Sequence, residues 1–140
     1  MAALILVDAG PLVALLDRRE EHHRWALDQV KKIAPPMWTC GAVLCETCFL
    51  LRRHPEAVAR LHDLIGNGII CSVAEPNTLW ARALAYMQRY ANVPMSFADA
   101  CLVAFAEERP GAKIFTLDSD FLVYRRGNGE RLELFAPFAE

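Results

Sequence analysis

The chain has 140 residues, a net charge of −2, a pI near 6.1 and 54% hydrophobic residues. That balance excludes a disordered chain and supplies no global basic field for nucleic acid. No apolar run approaches the ~18 residues of a membrane span, and the opening stretch lacks the basic flank and cleavage site of a signal peptide, so one cytoplasmic domain over residues 1–140 is expected.

The first element is a buried strand over residues 4–8, an apolar run that ends in the carboxylate of Asp8. Residues 11–16 form a short helix with Pro11 in its first turn. Trp25, Ala26, Val30 and Ile33 set a helical spacing over 20–33, which Pro35-Pro36 stops. A short strand at 37–39 is followed by helices at 41–52 and 55–65, the second closed by Gly66-Asn67-Gly68. Residues 69–73 are strand-like, 76–90 and 96–108 helical, and 113–117 and 132–135 strands. Strands and helices in alternation, with apolar strands, predict an α/β/α three-layer sandwich around a mostly parallel sheet.

Five cysteines (Cys40, Cys45, Cys48, Cys71 and Cys101) lie in apolar surroundings and are expected as buried small hydrophobes in a reducing compartment. Cys45 and Cys48 have zinc or redox spacing, but they fall within a helical pattern and no second such pair follows. The basic doublets Arg18-Arg19, Lys31-Lys32, Arg52-Arg53 and Arg125-Arg126 are either solvated charges or parts of a phosphate-binding rim.

Four acids stand in costly places. On a helix, Glu46 has Ala42, Val43, Phe49 and Leu50 as its neighbours one turn away, so it is expected on an apolar face where a lone charge needs a partner. Asp99 follows Ser96 at capping-box spacing and is either a cap or a ligand. Asp118 and Asp120 follow the strand at 113–117, as Asp8 follows the first strand; turn-forming Asp residues would explain them equally well one at a time. In a parallel sheet the crevice outside the carboxyl ends of the strands collects such residues. Two bare carboxylates ~4 Å apart repel by roughly 4 kcal/mol at an effective dielectric of 20. A hard divalent cation, Mg²⁺ or Mn²⁺, offsets that repulsion in an all-oxygen cluster, and no His or Cys interleaves with the acids to favour zinc. Asp8 is therefore expected as a metal ligand at the mouth of the sheet.

The order of "LVDAGPLVALLDRREEHH", the Glu46 of "LCETCFLL", "FADA" and "TLDSDF" resembles the PIN domain family, and more narrowly its VapC-type toxin ribonucleases. The resemblance implies one or two Mg²⁺ or Mn²⁺ ions held by Asp8, Glu46, Asp99 and Asp118 for hydrolysis of RNA phosphodiesters. Asp120 matches a more variable assisting acid and Thr116 a hydroxyl beside the fourth acid. Many members carry Ser, Thr or Asn two residues after the first Asp; Gly10 stands there in this chain. Arg52, Arg53 and Arg125 are candidates for phosphate contact. The resemblance also implies a homodimer and an antitoxin protein. The antitoxin segment would seat beside the acids against the helices at 11–16, 20–33 and 41–52.

Two other functions fit fewer residues. Asp118-Ser119-Asp120 has the spacing of a phosphatase nucleophile, but such a nucleophile normally follows the first strand. A catalytically weak or inactive PIN-like module that holds RNA or a protein is the alternative that Gly10 favours and the four acids oppose.

Overall fold

The computed structural model describes residues 3–138. Its elements run β1 (Ile5–Val7), α1 (Ala9–Leu16), α2 (His23–Val30), β2 (Met37–Thr39), α3 (Gly41–Leu50), α4 (Pro55–Gly66), β3 (Ile70–Ser72), α5 (Asn77–Arg89), α6 (Phe97–Glu107), β4 (Lys113–Phe115) and β5 (Glu133–Phe135). A 3₁₀ turn, Ser119–Leu122, follows β4.

The strands form one parallel sheet in the order β3-β2-β1-β4-β5. β1 and β4 are central, and Leu6, Val7, Ile114 and Phe115 are almost wholly buried, as strands covered on both faces must be. Six helices flank the sheet, which bears out the expected α/β architecture. The chain first builds outward from β1 through β2 to β3, then returns to the far side of β1 for β4 and β5. The order reverses between β1 and β4, and ligands of open α/β sheets bind at that switch point, outside the carboxyl ends.

The ends of elements depart from the expected bounds for local reasons. The first strand stops at Val7 because Asp8 turns to cap α1, its Oδ1 accepting from the Ala9 N–H at 2.8 Å. α1 therefore begins before Pro11, which remains within the first turn and has no helical N–H to lose. α2 is shorter than the periodicity of 20–33 suggested: Asp17 accepts from the Arg19 N–H, and turns closed by Glu20 and His23 occupy its first residues. No helix among the described residues is long and apolar enough to cross a membrane.

The core is built around α6. Residues 98–106 are all buried, and their many alanines let the helix lie close to α5 and α3. Its one acid is Asp99 until Glu107 at its far end. A buried leucine-sized chain contributes roughly 1.5–3 kcal/mol relative to exposure, so this helix can carry a costly carboxylate near its start.

Candidate functional site

The carboxyl edge of β1 and β4 opens into a cleft of about 610 Å³. Its walls include Asp8, Gly10, Glu46, Leu50, Asp99, Leu117, Asp118 and Asp120. Five acids from four separate segments thus share one concavity. The sheet brings Asp8 and Asp118 there, since β1 and β4 are hydrogen-bonded neighbours ending side by side.

A chain of hydrogen bonds fixes these two acids. Thr116, fully buried, donates its hydroxyl to Asp8 Oδ2 at 2.8 Å and accepts from the Asp118 N–H at 3.0 Å. Asp118 Oδ1 in turn accepts from the Asp120 N–H at 2.9 Å and caps the 3₁₀ turn. Asp8 has its own N–H tied to the Phe115 carbonyl. Beside it, the buried Thr39 hydroxyl satisfies the Val7 carbonyl at 2.8 Å. The turn expected of Asp118 and Asp120 is therefore real: it holds Asp118 Oδ1, and Thr116 links the Asp118 backbone to Asp8.

Asp99 takes part in the cap through its backbone N–H and also lines the cleft. Ser96 caps α6 by accepting from the Asp99 N–H at 3.0 Å, while the Asp99 carboxylate lies in the cleft wall. Tyr124, buried against Phe121 and Tyr90, donates its hydroxyl to the Pro94 carbonyl at 2.6 Å and stands 3.4 Å from Asp99 Oδ2. Tyr124 was not among the residues expected at the site. Its one signal was an aromatic residue one turn after Asp120, which is ordinary core spacing.

Burial is the main force on the two deepest acids. It pushes Asp8 up to about 6 against the hydrogen bonds from Thr116 and Ala9, with Glu46 and Asp118 adding repulsion. Asp99 is pushed up to about 7, by burial first and then by Asp8 and Asp118. Their oxygens and the neighbouring acids form an all-oxygen donor set, the set that hard divalent cations prefer. No three of these carboxylates lie within 4.8 Å of one another; among the described residues the one group that does so is Cys40, Glu75 and Cys101.

Glu46 is a correction. It is exposed on α3, and its apolar neighbours Phe49 and Leu50 are exposed with it, at 61% and 48%. Only Val43 and Thr47 of that helix are buried, so the apolar composition does not make an apolar environment for the charge. Cys45 and Cys48 correct the expected burial of the cysteines for the same reason: they lie on the solvent side of α3. Cys71 is half-buried, whereas Cys40 and Cys101 are in the core as expected.

None of Arg52, Arg53 and Arg125 lines the cleft. Arg52 donates to the Phe49 carbonyl at 2.8 Å and lies 4.1 Å over its ring. Arg125 donates to the carbonyls of Leu122, Val123 and Tyr124, closing the turn after the acids. Gly10 is tight: a Cβ there would stand 3.3 Å from Leu117 Cβ. The leucine that follows Thr116 occupies the space a larger residue at position 10 would need.

The PIN domain family model matches residues 5–127. Among solved structures, VapC20 from Mycobacterium tuberculosis, a Sarcin-Ricin loop cleaving toxin, is 25% identical with a TM-score of 0.73, covering 83% of this chain and 91% of that one. FitAcB from Neisseria gonorrhoeae is 14% identical with a TM-score of 0.60 over 96% of this chain and 99% of that one. VapBC2 from Rickettsia felis, solved with a DNA fragment from its promoter, is 12% identical with a TM-score of 0.61 over 95% and 98%. No curated protein sequence matches the chain. With the family's pattern matched from β1 to beyond the turn after β4, and with the same fold in these neighbours, the chain belongs to the PIN domain family.

Proposed function

We propose that this protein is a Mg²⁺- or Mn²⁺-dependent endoribonuclease that serves as the toxin of a type II toxin–antitoxin pair. The observation that carries the proposal is the meeting of Asp8, Glu46, Asp99, Asp118 and Asp120 in one cleft at the switch point of the sheet. The likeness to VapC20, a Sarcin-Ricin loop cleaving toxin, supports RNA as the substrate.

In this scheme Asp8, Glu46, Asp99 and Asp118 hold one or two ions, with Asp120 assisting. A bound divalent ion supplies Lewis acidity and a water acidified toward neutral pH. The protein's own part is to seat and orient. Thr116 keeps Asp8 Oδ2 aimed while the Asp8 backbone anchors to β4, and Tyr124 stands beside Asp99 Oδ2 at 3.4 Å. Outer partners of this kind commonly matter 10–100-fold for affinity or activity. Phosphate contacts fall to groups at the rim, because an acidic floor repels the RNA backbone until cations are bound.

Phe49 and Leu50, exposed beside Glu46, support a protein partner at this edge. We assign the place to an antitoxin segment with apolar anchors and an Arg directed at the acids, where a guanidinium pairs bidentately with carboxylates that otherwise repel. A homodimer accompanies this reading through the family likeness.

The test is cleavage of RNA by purified protein with Mn²⁺ or Mg²⁺, with chelator, and with the Asp8→Asn variant. Cleavage that needs the ion and vanishes in the variant is expected. Absence of cleavage, or cleavage unchanged in Asp8→Asn, refutes the assignment and leaves a binding module.

A further inference from the structure

A second group of donors lies away from the acidic cleft. Cys40 immediately precedes α3, Glu75 follows β3, and Cys101 sits on α6. Their ligand atoms are all within 4.8 Å of one another, although residues 40, 75 and 101 come from three separate segments. None of the three is a wall of the cleft that holds Asp8 and Asp99.

From this juxtaposition we infer that Cys40, Cys101 and Glu75 form a binding site for a thiophilic divalent cation of the Zn²⁺ class, distinct from the hard-ion site of the acids.

Donor chemistry sets the class. Thiolates select zinc over Mg²⁺ and Mn²⁺, and a carboxylate is an accepted third ligand. Zinc bonds of about 2.3 Å to sulfur place two thiolates of a tetrahedral ion about 3.8 Å apart. The three donors therefore need to close by no more than about 1 Å to reach that geometry. A fourth position stays open for water on the side of Glu75, which is only half-buried while both cysteines are 1% exposed.

The carboxylate is held as metal ligands usually are. Glu75 Oε2 accepts from the Gly41 N–H at 2.9 Å, and Oε1 accepts from the Trp80 indole N–H at 3.3 Å. Those bonds fix the rotamer and leave a further lone pair on each oxygen. They also explain Glu75 as a remote cap for α3, but a cap does not require two buried thiols beside it. Contact between those thiols lowers the Cys40 thiol from its ordinary value and raises that of Cys101. Two thiolates and a carboxylate exceed the charge of one cation by one, and the amino end of the ten-residue α3 helix, with its N–H groups and positive dipole end, faces that excess. The exposed Cys45 and Cys48 belong to the other side of α3 and take no part.

Occupancy would tie the start of α3, which carries Glu46, to α6, two residues after Asp99. It would act as a clamp behind the cleft. The inference does not rest on the nuclease reading.

Co²⁺ is the probe, because thiolate coordination gives it ligand-to-metal charge-transfer absorbance that carboxylate sites lack. Titration of the reduced full chain is expected to give one such site per chain, displaced by Zn²⁺ and insensitive to Mn²⁺. The Cys45→Ser/Cys48→Ser chain and the Asp99→Asn chain are expected to keep the signal; Cys40→Ser/Cys101→Ser is expected to lose it. Should that double variant fail to fold, Glu75→Gln decides: removing a ligand is expected to weaken Co²⁺ binding by about 10-fold or more. No thiolate absorbance in the wild type, absorbance that survives in Cys40→Ser/Cys101→Ser, or unchanged affinity in Glu75→Gln would each overturn the site.

Discussion

The cleft has two unlike walls. One is made of Asp8 and Asp99, both buried and tied by hydrogen bonds to helix starts, with the buried Thr116 behind Asp8. The other is made by α3, where Glu46 is exposed next to Phe49 and Leu50 and the helix buries only Val43 and Thr47. The first wall is costly without a cation, since burial holds its carboxyls toward the protonated form. The second is costly in another way: it leaves apolar surface in water. Under the proposed function the first wall would hold the ion and the second would face the protein partner; Glu46 and Leu50 of α3 line the same cleft as Asp8 and Asp99.

Four substitutions and one titration separate the walls, and the largest effect belongs to the buried one. Asp99→Asn should lower metal-dependent RNA cleavage by more than about 100-fold, because a ligand matters more than its supporting shell. The fold should survive, as Ser96 caps the backbone N–H of residue 99 and not its carboxylate. Cleavage at the wild-type rate would make Asp99 a structural residue.

Thr116→Val comes next. It takes a donor from Asp8 and an acceptor from the Asp118 N–H, so it should cost about 1–3 kcal/mol in urea unfolding. Activity should fall 10–100-fold, with the acid limb of the pH–rate profile moved to higher pH. An unmoved limb would show that Thr116 only packs.

The pH dependence of stability isolates the electrostatics of the buried wall. Asp8 and Asp99 are raised from 3.8 to about 6 and about 7, so the folded state holds these protons more tightly than the unfolded chain does. Their contribution is complete below the unfolded value and is lost as pH rises through 6 and 7. Metal-free protein should therefore melt at progressively lower temperature over that window. The fall should be shallower in Asp99→Asn, and Mn²⁺ should restore stability most at the alkaline end. Parallel melting curves for the two proteins would place Asp99 outside the cluster.

Glu46→Gln tests the exposed wall. Metal-dependent activity should drop, yet metal-free stability should change by less than about 0.5 kcal/mol, as for other exposed substitutions. A large stabilisation would mean that the charge is more confined than its exposure implies. The smallest effect on the isolated protein is expected for Phe49→Ser, again within about 0.5 kcal/mol and with unaltered RNA cleavage. Its consequence should appear in antitoxin binding; equal affinity for the partner would free that wall of the role assigned to it.

How much of this the sequence determined follows from range. Apolar runs, Pro stops and Gly turns act over a few residues, so the alternation of strands and helices and the PIN-like order of the acids were legible without coordinates. The role of Asp8 as a charge at a strand tip was legible for the same reason. Element ends were less so, because a cap such as Asp8 on α1 recruits a residue that periodicity counts as strand. Tertiary structure alone decided which apolar neighbours are buried. Glu46 and Asp99 look alike on their helices, but α6 lies in the core and α3 presents most of its surface to water. It alone brought Tyr124 to Asp99, put Leu117 against Gly10 and assembled Cys40, Glu75 and Cys101. Those contacts join residues tens of positions apart, and only the sheet order and helix packing set which distant side chains meet.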